Sequence, residues 1–265
     1  MNPEVASDEI VSATDSLVSQ QFGSGQKKDV SVEWQRPLNH DAQKGIRVIL
    51  KHSHEVRFVT WHRKGDYFSS VCPEGQSKSV FIHQLSKHAS QNPFKKNAGI
   101  IQCVQFHPLK PIFFVATQRT VRVYNLMQQE LVKKLQSSSK WISSLDIHPK
   151  GDNVIIGSFD KRVSWFDLDL SSKPYKVLRY HYFAIRRVAF HKSYPLFASG
   201  SDDGTIQVFH GMVYNDLLQN PLIVPLKILK GHKQVDDFGV LDCEFHPTQP
   251  WIFSCGADKT VRLYN

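Results

Sequence analysis

Hydrophobic and polar positions along this chain fall into short runs that repeat. An aromatic or aliphatic residue followed by histidine recurs as Trp61-His62, Phe106-His107, Ile147-His148, Phe190-His191 and Phe245-His246, and three of these steps continue into Pro108, Pro149 and Pro247. The histidines stand 45, 41, 43 and 55 residues apart. Between 14 and 18 residues after each comes a β-branched stretch closed by an aromatic or histidine: Val80-Phe81-Ile82-His83, Val121-Arg122-Val123-Tyr124, Val163-Ser164-Trp165-Phe166, Ile206-Gln207-Val208-Phe209 and Val261-Arg262-Leu263-Tyr264. Alternation at period two marks strands, and short apolar runs mark strands covered on both faces. No helical 3.6-residue period lies between them, which excludes an α/β reading.

Each unit therefore reads as strand a ending at the aromatic-His step, a polar turn, strand b, a tight turn, strand c, and a looser strand d. In the fourth unit strand b is Leu196-Phe197-Ala198-Ser199-Gly200, the tight turn Asp202-Asp203-Gly204, and strand c runs from Thr205 to Phe209. A period near 40–45 residues with four short strands per unit predicts an all-β, WD40-type β-propeller with five recognisable blades. Ser199-Gly200-Ser201-Asp202-Asp203-Gly204-Thr205 and Ser254-Cys255-Gly256-Ala257-Asp258-Lys259-Thr260 resemble the ends of WD repeats, and Gly231-His232 resembles the step that opens one. The repeats end in Tyr124-Asn125, Phe166-Asp167, Phe209-His210 and Tyr264-Asn265 where the family pattern has Trp-Asp.

That resemblance gives the tight-turn aspartates Asp160, Asp203 and Asp258 a structural role. Each accepts hydrogen bonds within its turn and from a histidine of the preceding loop, with His181 the partner of Asp203 and His232 that of Asp258. Gln118 and Ser77 occupy the same place in the second and first units, which therefore lack the charged form of the network. The histidines of the aromatic-His step recur once per blade, so they are separated around the fold and suit turn formation rather than a converging metal site. No metal or cofactor is expected.

Composition narrows the function. Of 33 Lys/Arg and 24 Asp/Glu, residues 1–50 hold 5 and 7, so 51–265 keeps 28 and 17 and carries the whole basic excess. A surface of that sign favours polyanions such as RNA. Basic residues fall at the tight b–c turns (Arg119, Lys161, Arg162, Lys259) and at the starts of strand a (Lys140, Arg186, Arg187), which share one face of a propeller; these are the candidate RNA contacts. Cys72, Cys103, Cys243 and Cys255 are far apart, as suits a reducing compartment. The chain shows no apolar run long enough to span a bilayer and no secretory start, and it reads as soluble and intracellular. It contains no G-x-S-x-G, H-E-x-x-H or phosphate-binding loop, and Gly23-Ser24-Gly25-Gln26-Lys27-Lys28 lacks the spacing of the last, so no enzyme is expected.

Three segments narrow the family. The insertion His210 to Leu222, the stretch Trp165 to Tyr175 and Phe245-His246-Pro247-Thr248-Gln249-Pro250-Trp251 closely resemble the propeller of the block-of-proliferation proteins, and the likeness runs from about Trp34 to the last residue. The resemblance implies a nucleolar and nucleoplasmic factor in maturation of large-subunit (60S) ribosomal RNA, bound to a pescadillo-type protein, a second WD-repeat protein and the pre-60S particle. A general protein-interaction propeller, such as a ubiquitin-ligase adaptor, is the alternative. The family propeller typically has seven blades after a long N-terminal domain, so this chain reads as a truncated form and an incomplete arc. On this reading residues 1–30 are poorly ordered and 31–53 hold a remnant or closing segment. Within that segment Ile46 to Leu50 reads as a d strand, either completing the last blade or belonging to a remnant one. Residues 54–265 form the blades, and the long insertion serves binding.

Overall fold

In the computed structural model, residues 31–94, 99–137, 139–214 and 221–265 are described; the expectation for 1–30, the side chain of Ser77 and the middle of the insertion, 215–220, lie outside them. The chain divides into two compact units, Met1–Val115 with Tyr124–Val132, and Ala116–Val123 with Lys133–Asn265. Among the described residues it is all-β apart from one five-residue helix, α1 (Asn39–Gln43), and a 3-10 turn at Pro73–Lys78.

The first described strands, β1 (Val32–Gln35) and β2 (Ile49–His52), form a two-stranded antiparallel sheet with Val32 opposite His52 and Gln35 opposite Ile49. Sheets then follow in chain order. The first blade holds β3 (Phe58–Trp61), β4 (Tyr67–Val71), β5 (Val80–Gln84) and β6 (Ala89–Gln91). The second holds β7 (Ile101–Phe106), β8 (Ile112–Thr117), β9 (Thr120–Asn125) and β10 (Glu130–Gln136). The third holds β11 (Ile142–Ile147), β12 (Asn153–Ser158), β13 (Val163–Asp167) and β14 (Lys176–Leu178), and the fourth β15 (Ile185–Phe190), β16 (Leu196–Ser201), β17 (Thr205–Met212) and β18 (Leu222–Lys230). The fifth has three described strands, β19 (Val240–Phe245), β20 (Ile252–Gly256) and β21 (Val261–Tyr264).

Sequence alternation becomes packing by one rule. Successive side chains point to opposite faces of a strand, and within each unit the outward face of one sheet receives the inward face of the next. Ile155, Val163 and Trp165 of the third sheet pack on Ile185, Val188, Phe190, Phe197 and Phe209 of the fourth. Ala189, Ala198 and Ile206 on the far side of the fourth pack on Val240, Cys243, Phe245 and Ile252 of the fifth. In the other unit Tyr67, Val80 and Ile82 meet Ile101, Val104, Phe106 and Phe113.

Two expectations change in detail. The strand read at Ile46 to Leu50 begins only at Ile49 and runs on to His52 as β2, and it pairs with β1 rather than serving as fourth strand of the fifth sheet, so it belongs to a remnant pair. The insertion begins as sheet rather than loop: His210, Gly211 and Met212 continue β17 and pair with Val224, Ile223 and Leu222 of β18. Gly211 permits this, because a Cβ there would stand 2.8 Å from the Phe197 ring and 3.2 Å from Trp165.

Trp165 is fully buried, its ring 5.3 Å from both Phe190 and Phe197, yet its indole N–H has no hydrogen-bond partner. Trp165→Ala should cost about 3–5 kcal/mol through the cavity it opens. Trp165→Phe should cost distinctly less, since it also removes the unsatisfied donor. Urea unfolding of the two variants checks the ranking.

Candidate partner-binding face

Antiparallel pairing puts the start of each strand a beside the b–c turn of its own sheet. Phe159 N–H donates to Trp141 O, Asp202 N–H to Ala184 O and Ala257 N–H to Gly239 O, which ties these two segments together at one end of the third, fourth and fifth sheets. Two of those ends are held by the same polar assembly.

In the fourth sheet, His181 Nδ1 donates to Asp203 Oδ2 at 2.9 Å while Nε2 faces Ser199 Oγ at 2.8 Å. Asp203 also accepts from the Tyr182 N–H at 3.1 Å, the Thr205 N–H at 2.9 Å and the Thr205 hydroxyl at 2.6 Å. In the fifth, His232 Nδ1 meets Asp258 Oδ1 at 3.0 Å and Nε2 meets Ser254 Oγ at 2.7 Å, with the Lys233 N–H and Thr260 hydroxyl completing the set. Burial works against the charge on Asp203, but donors from His181 and Thr205, the charge of His181 and the Tyr182 N–H outweigh it and bring its carboxyl down to about 2. Asp258 is likewise held well below the usual carboxylate range: the burial penalty is overcome by His232 and Thr260. Gly204, at φ +77°, completes the fourth turn, where a Cβ would stand 2.6 Å from the His232 carbonyl.

Asp160 does not join such an assembly. Its Oδ2 lies 3.4 Å from Arg162 Nε and its buried Oδ1 has no partner. The cause is in the neighbouring residues. Ile156 stands where the other sheets have Ser199 and Ser254, Arg162 where they have Thr205 and Thr260, and a serine run, Ser137-Ser138-Ser139, where a histidine would come. In the second sheet the turn is held by Thr117 and Thr120, with Thr117 Oγ1 donating to Thr120 O at 2.9 Å. A histidine assembly that the repeat pattern missed lies in the first sheet: His83 bridges Ser70 Oγ at 2.7 Å and Ser90 Oγ at 2.8 Å, and Trp34 Nε1 donates to the same Ser90 hydroxyl at 2.7 Å. Burial, then the nearby His52, lowers His83 to about 3, so its ring is neutral.

The basic candidates separate into two groups. Arg186 is not available to a polyanion: its Nε lies 3.0 and 2.8 Å from the two Asp202 carboxylate oxygens, and the guanidinium sits 4.8 Å from each of the Phe159 and Phe238 rings. Arg187 is likewise engaged, 3.2 Å from Asp242 and 3.0 Å from Glu244. Those carboxylates and Asp146 raise its pKa despite burial. Asp146 itself is pushed up to about 6 by burial, against the N–H of Phe190 that donates to it at 2.7 Å. Arg162 pairs with Asp160. Arg119, Lys140, Lys161 and Lys259 are exposed. Lys161 and Lys259 occupy left-handed turn positions, at φ 69° and 62°. Around them the same end exposes Trp141, Tyr182, Phe183 and Phe238, and Lys161 Nζ lies 5.5 Å from the centre of the Phe183 ring.

At the opposite end, the histidines of the aromatic-His step fold back on their own turns. Nδ1 of His107 accepts the Leu109 and Lys110 N–H groups at 2.9 and 2.8 Å, and Nδ1 of His191 accepts those of Ser193 and Tyr194, both at 2.9 Å. His246 does the same for Thr248 and Gln249. An accepting nitrogen requires a neutral ring here. Burial, aided by Arg63 and Lys64, lowers His62 to about 4, and burial with Lys150 lowers His148 to about 4.

Compared with known proteins, the WD domain, G-beta repeat family matches residues 129–167, 172–210 and 223–265. The whole chain aligns at 59% identity with a zebrafish (Danio rerio) protein named Ribosome biogenesis protein bop1, covering 34% of that protein. It aligns at 56% with Ribosome biogenesis protein BOP1 homolog of Drosophila ananassae and at 55% with that of Drosophila melanogaster, again over the full chain and 34% of each relative. The chain thus spans about a third of the length of the curated relatives it matches.

Two stability predictions follow from these contacts. Asp203→Ala should cost about 1.5–3 kcal/mol at neutral pH. Because the folded pKa is depressed, this contribution is complete above about 4, the unfolded value, and is lost as pH falls through the folded value of about 2. Melts of parent and variant should therefore converge between those limits. Arg186→Ala should destabilise by about 3–5 kcal/mol by stranding the buried Asp202 carboxylate. Its effect belongs in thermal melts, not in nucleic-acid affinity.

Proposed function

Since this chain belongs to the block-of-proliferation family of WD-repeat proteins, we propose that it acts as a non-enzymatic scaffold in assembly of the large ribosomal subunit. The observation that carries this reading is the identity of 55–59%, over the whole of this chain and about a third of each relative, with proteins named for ribosome biogenesis. The chemistry of the fold supports it. The repeated His, Asp, Ser and Thr side chains are used up in turns and sheet ends, and among the described residues no cluster of metal-ligating side chains is present. What is left exposed is a surface of aromatics and lysines, suited to binding.

The work of such a scaffold is done in the nucleus and nucleolus, on the pre-60S particle, beside a pescadillo-type protein and a second WD-repeat protein. Direct contact with ribosomal RNA falls to Arg119, Lys140, Lys161 and Lys259, with Trp141, Tyr182 and Phe183 offering rings for unpaired bases to stack on.

Depleting the gene product should slow appearance of mature large-subunit RNA in pulse-labelling while small-subunit RNA matures normally at first; unchanged precursor processing would remove the assignment. Replacing Arg119, Lys140, Lys161 and Lys259 together by Ser should weaken binding to a single-stranded RNA and flatten its dependence on salt. Replacing the basic residues of the first 50 positions should do neither.

A further inference from the structure

Between the outermost strands of the third and fourth sheets, β14 and β18, the packing opens into a groove. Val163 and Trp165 face the fourth sheet, so their partners on β14, Leu178 and Lys176, face it too. From the other side Phe209 and Gly211 face the third sheet, and their partners on β18, Pro225 and Ile223, do the same. Gln207 points the same way, its amide donating to the Tyr180 carbonyl at 3.5 Å, which puts its partner Ile228, and Lys230 two residues on, over the same groove. Leu178 and Ile223 make the floor and are buried, whereas Tyr180 and Ile228 stand in the walls at 43% and 52% exposed. Lys176, beside Ile223, and Lys230, at the far end of β18, mark the two ends.

This groove is not built to accept a further strand. Gly211 N–H donates to Pro195 O, toward β16, so its partner Ile223 turns its backbone to the free edge, where Lys176 Nζ reaches the Ile223 carbonyl at 3.1 Å. Two residues on, the free edge falls on Pro225, which has no N–H, and the register then slips between Val208 and Phe209, leaving Leu226 unpaired. A proline and a bulge both blunt an edge strand. Recognition here falls to side chains, and their charge has one sign. Over 173–183 and 221–230 the chain carries Lys173, Lys176, Arg179, Lys227 and Lys230, all exposed, and neither stretch contains an Asp or Glu. Pro225, Leu226 and Ile228 lie exposed among them. Nucleic-acid bases stack on aromatic and guanidinium planes, and the one ring in these walls, Tyr180, already packs against Phe209 at 5.4 Å. Aliphatic side chains set among cations suit a polypeptide better.

We propose that this groove docks an extended acidic segment of a protein partner, its aliphatic side chains entering between Tyr180 and Ile228 and its carboxylates meeting Lys176 and Lys230. From Ile223 to Lys230 a strand spans on the order of 20 Å, a footprint of about seven residues. The site is separate from the exposed lysines of the b–c turns and stands whether or not those meet RNA.

An array of short random peptides, incubated with the 265-residue chain, tests this. Peptides held by the parent and lost by Ile228→Asp should be rich in Asp and Glu together with Leu, Ile or Val. In fluorescence polarisation their dissociation constants should rise roughly tenfold or more with Ile228→Asp and with Lys176→Glu, as for the anchors of an interface. Lys192→Glu makes the same change of charge at an exposed turn of the fourth sheet and should leave them at the parent's value. All three variants alter exposed side chains and should keep the parent's circular dichroism. If no captured peptide depends on Ile228, or if those that do carry no carboxylates, the proposal is overturned. It is overturned equally if oligouridylate displaces the peptides and itself binds Ile228→Asp more weakly than the parent, which would give the groove to RNA.

Discussion

The constraint on which the rest of the structure depends is that a sheet with two apolar faces needs a neighbour on each. Val163, Trp165 and Ile155 are shielded by the next sheet rather than by their own, and so are Ala189, Ala198 and Ile206. Fully burying a side chain of this kind is worth roughly 1.5–3 kcal/mol, so repetition of a marginal unit becomes stable by stacking. The same burial forbids loose polar ends. A hydroxyl or imidazole inside the stack must find its partners within the sheet or in the loop above it, and the histidine assemblies at Asp203 and Asp258 are the result.

Histidine serves this constraint in two opposite ways. At one end of the sheets, Nδ1 accepts backbone N–H groups and burial keeps His62 and His148 neutral. At the other end, Nδ1 of His181 and His232 points at a carboxylate and acts as donor. The partner sets the role of the ring.

Much of this was legible in the sequence. Spacing of the aromatic-His steps located every strand a, and the β-branched runs located every strand c, because both follow from period-two alternation within one sheet. The His181–Asp203 and His232–Asp258 pairings came from resemblance to the WD repeat, and each spans two strands of its sheet, 22 and 26 residues. The isolation of Asp160 was also legible, since Ile156 and Arg162 replace the serine and threonine of the other turns, but only when the four positions are read as a set. Arg186 was not. Its carboxylate partner is 16 residues away on the next strand, and its two flanking rings come from the third sheet and from the loop before the fifth, so no local pattern distinguishes it from a solvated arginine. The reach of β17 and β18 into the insertion depended on Gly211 fitting against two rings, which sequence spacing does not express.

Net charge is therefore a poor map of which cations stand exposed on this chain. The formal +9 counts Arg186 and Arg187 on equal terms with Lys140 and Lys259. Arg186 instead ties the start of β15 to the b–c turn of its own sheet through Asp202, and Arg187 joins the fourth sheet to the fifth through Asp242 and Glu244. Arginine suits that work because its planar fork meets a carboxylate with two nitrogens while its faces stack on rings, as Arg186 does on Phe159 and Phe238. Lysine at a left-handed turn, as at Lys161 and Lys259, has neither geometry, and both side chains are exposed. The division of labour between the two cations thus separates the residues that hold the blades in register from those free to face a partner. A stack of sheets built this way can change its exposed lysines and aromatics without disturbing the carboxylate and histidine contacts beneath them.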